Sequence, residues 1–420
     1  MTREALHKEN SMPKIKITEV DNTTGTTLTS TENIVYIPGV AWAGCGPTLY
    51  SSVSALEGAL GVSTVEKDSD GKEVPVNPTA GLKEDLSFRL ARRCLQLGMK
   101  VLYQGFAVAR DGKFDIDSDS WEALKDKTLY DVRFLTTGGY ACPDSNMVAC
   151  AESRGDCVAL IDVPSDASSA AYIRALFDGK KDEKNASTSA YGTYGIFKSK
   201  YAACFAPWFS GSLGSDGTEG IPGCFGYLFS YARSIQSNPM WYAVAGTFRG
   251  SISELSDVKI KFSNADVEML QARAKTGEVG LDDSGDNVGC AINPIAYVRG
   301  YGYLIWGNRT LLENSSGTTA SSFLNVRNLC SEIKKTMWAA ARKYTFEQNS
   351  TTLWLNFKHQ ITPLLDRMVS GNGIESYTFE RVSTTAKARL AARLSIVPIE
   401  GVEDFELNVY LEDSLEVVEG

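Results

Sequence analysis

Only two histidines, His7 and His359, occur among 420 residues, and that scarcity bounds the chemistry before any motif is considered. A nucleophilic triad needs an imidazole beside its nucleophile. His7 lies in a charged arm, His359 sits in a helical pattern next to Lys358, and no G-x-S-x-G run meets either. The nine cysteines (45, 94, 142, 150, 157, 204, 224, 290 and 330) form no C-x-x-C pair, and most lie in apolar stretches such as YAACFAPW. They read as reduced, buried thiols and not as a disulfide framework or zinc site; no metal and no cofactor is expected. Gly300-Tyr301-Gly302 opens like a dinucleotide-binding loop, but position 305 is Ile and a strand pattern follows where a helix is required. Asp162-Val163-Pro164 places a carboxylate at a strand end, a position used for catalysis in α/β enzymes; a capping role is the plainer reading. Arg154-Gly155-Asp156 spells an adhesion tripeptide and reads as a turn. No catalytic constellation emerges.

The composition is that of a folded chain: 43% apolar residues and a net charge of −9. Disorder throughout is excluded, and the length predicts two to three domains. No stretch approaches the ~20 apolar residues of a membrane span, and the first ten residues carry no apolar signal core. An acidic chain without a basic block is poorly suited to a phosphate backbone, so neither nucleic acid nor membrane insertion is expected.

Charge is concentrated at the ends. Residues 1–16 carry a net +2, residues 400–420 a net −8 with no Lys or Arg, and the body between them only −3. Strict apolar alternation through Phe405, Leu407, Val409 and Leu411 predicts a half-buried strand. Lys14-Ile15-Lys16-Ile17 is a shorter basic counterpart. The thirteen residues from Asp21 to Asn33, polar apart from Gly25 and Leu28, follow it, and extended they reach about 40 Å. A strand on so long a tether can pair outside its own domain.

Within the body, residues 34–43 predict a strand broken at Pro38-Gly39, and 51–60 a helix. Leu86, Leu90, Cys94 and Leu97 share one face of a helix closed by Gly98. Strands are expected at 99–103, 157–163 and 201–206, with helices at 168–177 and from Pro222 through Ile235. This alternation predicts an α/β fold with a mainly parallel sheet. Beyond residue 310 two long helices precede further strands, so the chain is α+β overall. Val326, Leu329, Cys330, Ile333 and Met337 stripe the first helix; Trp354, Phe357, Ile361, Leu364, Leu365 and Met368 stripe the second, with a kink expected at Pro363.

Several segments together resemble the sheath proteins of contractile tails, found in phages, tail-like bacteriocins and related injectors. Gly302 to Thr310 is similar to that family's G-x-x-x-W-G-x-R-T stretch, with Trp306, Gly307, Arg309 and Thr310 at its marked positions. FLNVRNL at 323–329, FEQN at 346–349, the second long helix, RGDC at 154–157, APW at 206–208 and the Pro222-Gly223 helix follow the family order. The resemblance implies a subtilisin-like central α/β domain over 111–310, after an arm and linker over 1–33 and an outer portion over 34–110. A C-terminal α+β domain would span 311–420, its terminal strands exchanged between subunits. Trp306 would then be packed and Arg309 bonded for structural reasons, with no protease activity, because no triad histidine is present.

The implied function is structural. Copies would stack helically around an inner tail tube protein and contract to drive it through a host envelope, ejecting a genome in a virion. Baseplate and tail terminator proteins would be further partners, and the place of assembly a bacterial host's cytoplasm. Lys14, Ile15, Lys16, Ile17 and the 405–411 strand are the candidate intersubunit strands. Lys334, Lys335, Arg342, Lys343 and Lys358 are candidate tube contacts. The rival reading is a two-domain α/β metabolic enzyme using Asp162 and the Gly300–Gly302 loop; a capsid or inner-tube subunit is a further alternative.

Overall fold

The computed structural model describes residues 33–41, 45–61, 65–67, 69–70, 73–75, 85–107, 116, 118–139, 145–178, 193–214, 217–272, 290–313, 319–385 and 388–399. The candidate strands at 14–17 and 405–411 lie outside them, as does most of 62–80 and 178–195.

An eight-stranded sheet organises the body. In chain order its strands are β1 (Ile34–Ala41), β2 (Cys45–Tyr50), β3 (Lys100–Ala107), β4 (Phe134–Leu135), β5 (Val158–Asp162), β6 (Ala202–Ala206), β7 (Asn293–Val298) and β8 (Gly302–Ile305). Their spatial order is β8-β7-β6-β5-β4-β1-β3-β2. The run from β7 to β3 is parallel, and antiparallel β8 and β2 form the two edges. Strands from both 34–110 and 111–310 enter this one sheet, joined across the β1–β4 pairing.

Side chains alternate between two apolar layers, as the strand period requires. Val35, Ile37, Val158, Leu160, Ala203 and Phe205 face helices α1 (Leu86–Gln96) and α4 (Gly223–Ser237). Ile34, Tyr36, Ala159, Ile161, Ala202 and Cys204 face α2 (Ser145–Arg154) and α3 (Ala170–Asp178). A parallel sheet covered on both faces needs strands apolar throughout, and β5 and β6 are buried at every residue.

The expected break at Pro38-Gly39 is not there: β1 continues to Ala41, paired with β3 along its whole length. The reason is one of direction. Ile34 O accepts from Arg133 N–H at 2.8 Å, and Tyr36 O from the Thr136 hydroxyl at 2.8 Å, so even-numbered residues of β1 point toward β4. Pro38 points the same way but past the end of β4, where its missing N–H costs no ladder bond.

The C-terminal unit comprises α5 (Leu324–Lys343), α6 (Thr351–Ser370) and an antiparallel hairpin of β9 (Ile374–Val382) and β10 (Ala391–Pro398). Helix α6 runs unbroken through Pro363. Leu329 and Ala340 of α5 pack with Trp354, Phe357, Ile361, Leu365 and Met368 of α6 and Phe379 of β9 in a separate apolar core.

Candidate functional site: a charged joint and an open hairpin

The residues after β8 are pinned to three elements. Trp306 N–H donates to Pro294 O of β7 at 2.8 Å. Asn293 accepts from Arg309 N–H at 2.7 Å and donates to Arg309 O at 2.8 Å and Cys204 O at 3.0 Å. Buried side-chain amides are stable only when so satisfied. A Cβ at Gly307 would stand 2.8 Å from Asn293 Oδ1 and 3.0 Å from its Cα, so this close crossing requires glycine. Thr310 N–H donates to Ser322 O at 2.8 Å and its hydroxyl to Ser321 O at 3.0 Å. The Arg309 guanidinium lies 4.2 Å from the centre of the Phe323 ring, a cation–π distance. The Trp306 indole, expected to be packed, is 38% exposed; its backbone is what the fold holds.

Asn308 then starts α5. Phe323 occupies the cap position and offers no side-chain bond. Asn308 O instead accepts Leu324 N–H at 3.0 Å and its Oδ1 accepts Asn325 N–H at 3.3 Å, supplying two orphan donors from outside the helix. Asn325 passes the link on to Trp241 O at 3.0 Å, and Trp241 Nε1 donates to Gly371 O at 2.9 Å. One polar chain therefore ties β7, α5 and the end of α6.

The side of α5 opposite its apolar stripe is buried too, and it is charged. Glu332 pairs with Arg133, both side chains fully buried. Lys335 pairs with Asp131 and lies 3.6 Å from Asp156, which Arg154 holds at 3.0 Å. Arg154 also donates to Leu124 O and Tyr130 O. Lys334 donates to Gly155 O at 2.8 Å and to the Tyr201 hydroxyl at 3.1 Å. The Arg154-Gly155-Asp156 turn, with Gly155 at φ +66°, is thus the seat of α5 on the N-terminal end of the sheet. Burial opposes the Asp156 charge, but the Lys335 and Arg154 cations outweigh it and hold the carboxyl below its usual range.

These bonds correct one expectation and narrow another. Lys335 is 5% exposed and so is no surface contact for a tube, while Lys334 is half-buried with its ammonium bonded to Gly155 O and the Tyr201 hydroxyl. Arg342 and Lys343 are exposed in the last turn of α5, with Arg342 over the Trp338 ring at 4.7 Å; Lys358 is half-buried. Spacing along a helix gives the sign of a face and not its neighbour, which is why Glu332 and its partner Arg133, 199 residues apart, were not found.

The hairpin is differently built. Tyr377, Phe379 and Leu394 pack toward the α6 core, while Glu375, Ser376, Thr378 and Glu380 are exposed. β9 and β10 pair only with each other among the described residues, leaving an outer edge on each strand.

At the opposite, C-terminal end of the sheet, described residues occupy places where an α/β enzyme keeps its chemistry. In chain order the parallel strands run 2-1-3-4-5-6, so the switch point lies between β1 and β4. There Gly138 packs so tightly that a Cβ would meet Pro38 O at 2.0 Å. Asp162 accepts Cys224 N–H at 3.0 Å and its thiol at 2.9 Å, capping α4, and burial pushes its carboxyl up to about 7. Trp208 donates to Val163 O at 2.7 Å and fills the next gap, with Lys259 Nζ 5.6 Å from the centre of its ring. Gly300 and Gly302, at φ +86° and +82°, flank the tight β7–β8 turn.

No helix among the described residues is long and apolar enough to cross a membrane. No protein-family model matches the chain, and no curated protein matches it in sequence. Solved structures do. A sheath complex of the extracellular contractile injection system PVC, in its contracted state, is similar with a TM-score of 0.63 at 15% identity, covering 96% of this chain and 99% of that one. The contracted helical sheath of the anti-feeding prophage is similar with a TM-score of 0.58 at 14% identity, covering 96% and 100%. A chain of that particle's six-fold symmetrised baseplate gives 0.57 at 15%, again covering 96% and 100%. Over nearly its whole length, this chain has the fold of contractile injection system sheath proteins.

Proposed function

We propose that this protein is the repeating subunit of a contractile sheath. It polymerises around an inner tube and shortens to drive that tube through a cell envelope, catalysing no reaction. The observation that carries the reading is reciprocal coverage, 96% of this chain against 99% of a contracted sheath chain, which matches the entire architecture and not one widespread α/β core. On this reading residues 1–33 form an exchanged arm, 34–110 with 111–310 the subtilisin-like body, and 311–420 the C-terminal unit. The open edges of β9 and β10 receive strands 14–17 and 405–411 of neighbouring copies. Such a head-to-tail contact does not close on a two-fold; repeated, it builds rings and helices. The particle is tail-like and assembles in a bacterial cytoplasm, with a baseplate and terminator at its ends. Arg342, Lys343 and Lys358 are the tube contacts that remain.

Negative-stain microscopy of the purified full chain, alone and with its tube protein, tests the reading. Hollow striated cylinders of uniform width are expected. A chain still monomeric at high concentration with the tube present overturns it. Removing residues 1–20 is expected to leave a folded monomer that forms no cylinders. Reversing Arg342, Lys343 and Lys358 together is expected to abolish tube binding while leaving the fold intact.

A further inference from the structure

The tip of the β9–β10 hairpin is a basic surface with an occupant written into the same sequence. Residues 381–399 carry Arg381, Lys387, Arg389 and Arg393 and no acidic residue, whereas 400–419 carry eight acidic residues and no basic one. Arg381, Arg389 and Arg393 are all exposed at the turn end. Glu380 stands opposite Arg393 and Ala392 opposite Arg381, so Arg381 and Arg393 lie on opposite faces and the tip is basic on both. Arg393 has only a loose exposed contact with Glu380, at 3.8 Å. Asn349 of the α5–α6 loop steadies the tip, accepting from Arg381 at 2.8 Å and donating to Arg389 O at 3.0 Å. That loop follows Arg342 and Lys343 and carries one acidic residue, Glu347.

The acidic segment leaves from the other end. Ile399 N–H donates to Gly373 O at 3.1 Å at the base of the hairpin, and the six residues back to Arg393 span roughly 20 Å of strand. A tail reaching its own tip has to reverse direction and run back along the hairpin, a path that a tail arriving from a second copy does not need.

We propose that the basic tip around Arg381, Arg389 and Arg393 is an electrostatic clasp for the acidic C-terminal segment, Glu412 to Glu419, of a second copy of this chain. The inference rests on the sheath reading and adds to it which charges choose the partner. Like charges brought together at such a contact repel, so the clasp rejects wrong pairings as well as favouring the right one. The screening length falls from about 10 Å at 0.1 M salt to about 3 Å at 1 M, so association is salt-sensitive.

Two full-length variants test it. One carries Arg381→Glu, Arg389→Glu and Arg393→Glu; the other carries Glu412→Lys, Asp413→Lys, Glu416→Lys and Glu419→Lys. Sedimentation velocity reads association, and microscopy reads cylinders separately. Each variant alone is expected to need at least tenfold more protein to associate than the wild type at 0.1 M salt, and the equimolar mixture is expected to recover wild-type association. A mixture that stays impaired, while a single chain carrying both sets recovers, would show the tail docking on its own hairpin and overturn the proposal. Unimpaired association of each variant overturns it equally. Circular dichroism and the melting temperature check folding, and the pair Arg389→Glu with Arg393→Glu avoids the Arg381–Asn349 bond. Salt-sensitive association rescued by mixing but producing no cylinders would keep the clasp and reject the sheath; cylinders indifferent to both charge sets would do the reverse.

Discussion

Two buried aspartates at either end of β5 respond to burial in opposite ways. Asp156, just before the strand, stays charged because Lys335 and Arg154 face it. Asp162, the last residue of the strand, is enclosed with a thiol and a backbone N–H for partners, and its carboxyl is pushed up to about 7. The two ends of the sheet differ in the same sense. The C-terminal end, where α/β folds usually hold ligands, is closed by Trp208, Gly138 and the Asp162 cap. The N-terminal end carries the dense charge, and what it holds is helix α5. The contrast teaches that this body uses its polar groups to fix the angle of a second unit, while adhesion within that unit comes from the apolar α5–α6 face. Buried ion pairs suit that task, being poor net stabilisers yet costly to mismatch.

The largest expected effect separates pairing from packing. Glu332→Ala leaves the Arg133 charge buried without its carboxylate and is expected to cost on the order of 3–5 kcal/mol in urea unfolding. Arg133→Met with Glu332→Leu is expected to be neutral or stabilising. A double variant as unstable as the single one would break the comparison, because the pair would then be a source of net stability.

A second test uses pH. The folded carboxyl of Asp162 lies above the unfolded value of ~3.9. Its contribution is therefore full below about pH 4 and is lost as pH rises through 7, on the order of 4 kcal/mol in total. Asp162→Asn is expected to remove that fall in stability curves measured between pH 4 and 8. Asp156 has the opposite sign: its folded value is depressed, so it stabilises above about pH 4 and the contribution is lost on acidification through that lower value. Asp156→Asn should flatten only the acid limb.

A smaller effect sharpens the part played by uncharged bonds. Asn293→Ala removes partners from Arg309 N–H, Arg309 O and Cys204 O and is expected to cost about 1–3 kcal/mol. A loss below 0.5 kcal/mol, measured by the same unfolding assay, would mean that water replaces the amide there.

Local pattern predicted what local physics decides. The apolar runs at β5 and β6, the α1 stripe ended by Gly98 at φ +85°, and both long helices appear where periodicity placed them. The Pro38 break failed because a proline's cost depends on which edge it faces, and that is set by how short β4 is. Lys335 failed for a related reason. A lysine on an amphipathic helix reads as a surface residue, but α5 is a helix with two buried sides, and Asp131 lies 204 residues away. The packing at that end could not be read either, since Trp208 meets Val163, Gly138 meets Pro38 and Asp162 meets Cys224 only in three dimensions.

The edges that β9 and β10 leave unpaired among the described residues set a counting rule for any assembly made through them. On the proposed exchange each copy offers two acceptors and two donors, so valences balance in the interior of a stack and fail to balance only at its first and last rings. Where both donated strands pass in the same axial direction, such a polymer has unlike ends, one rich in empty edges and the other in unplaced strands. Growth and termination then become chemically distinct events, and a protein that caps one end has no surface with which to cap the other.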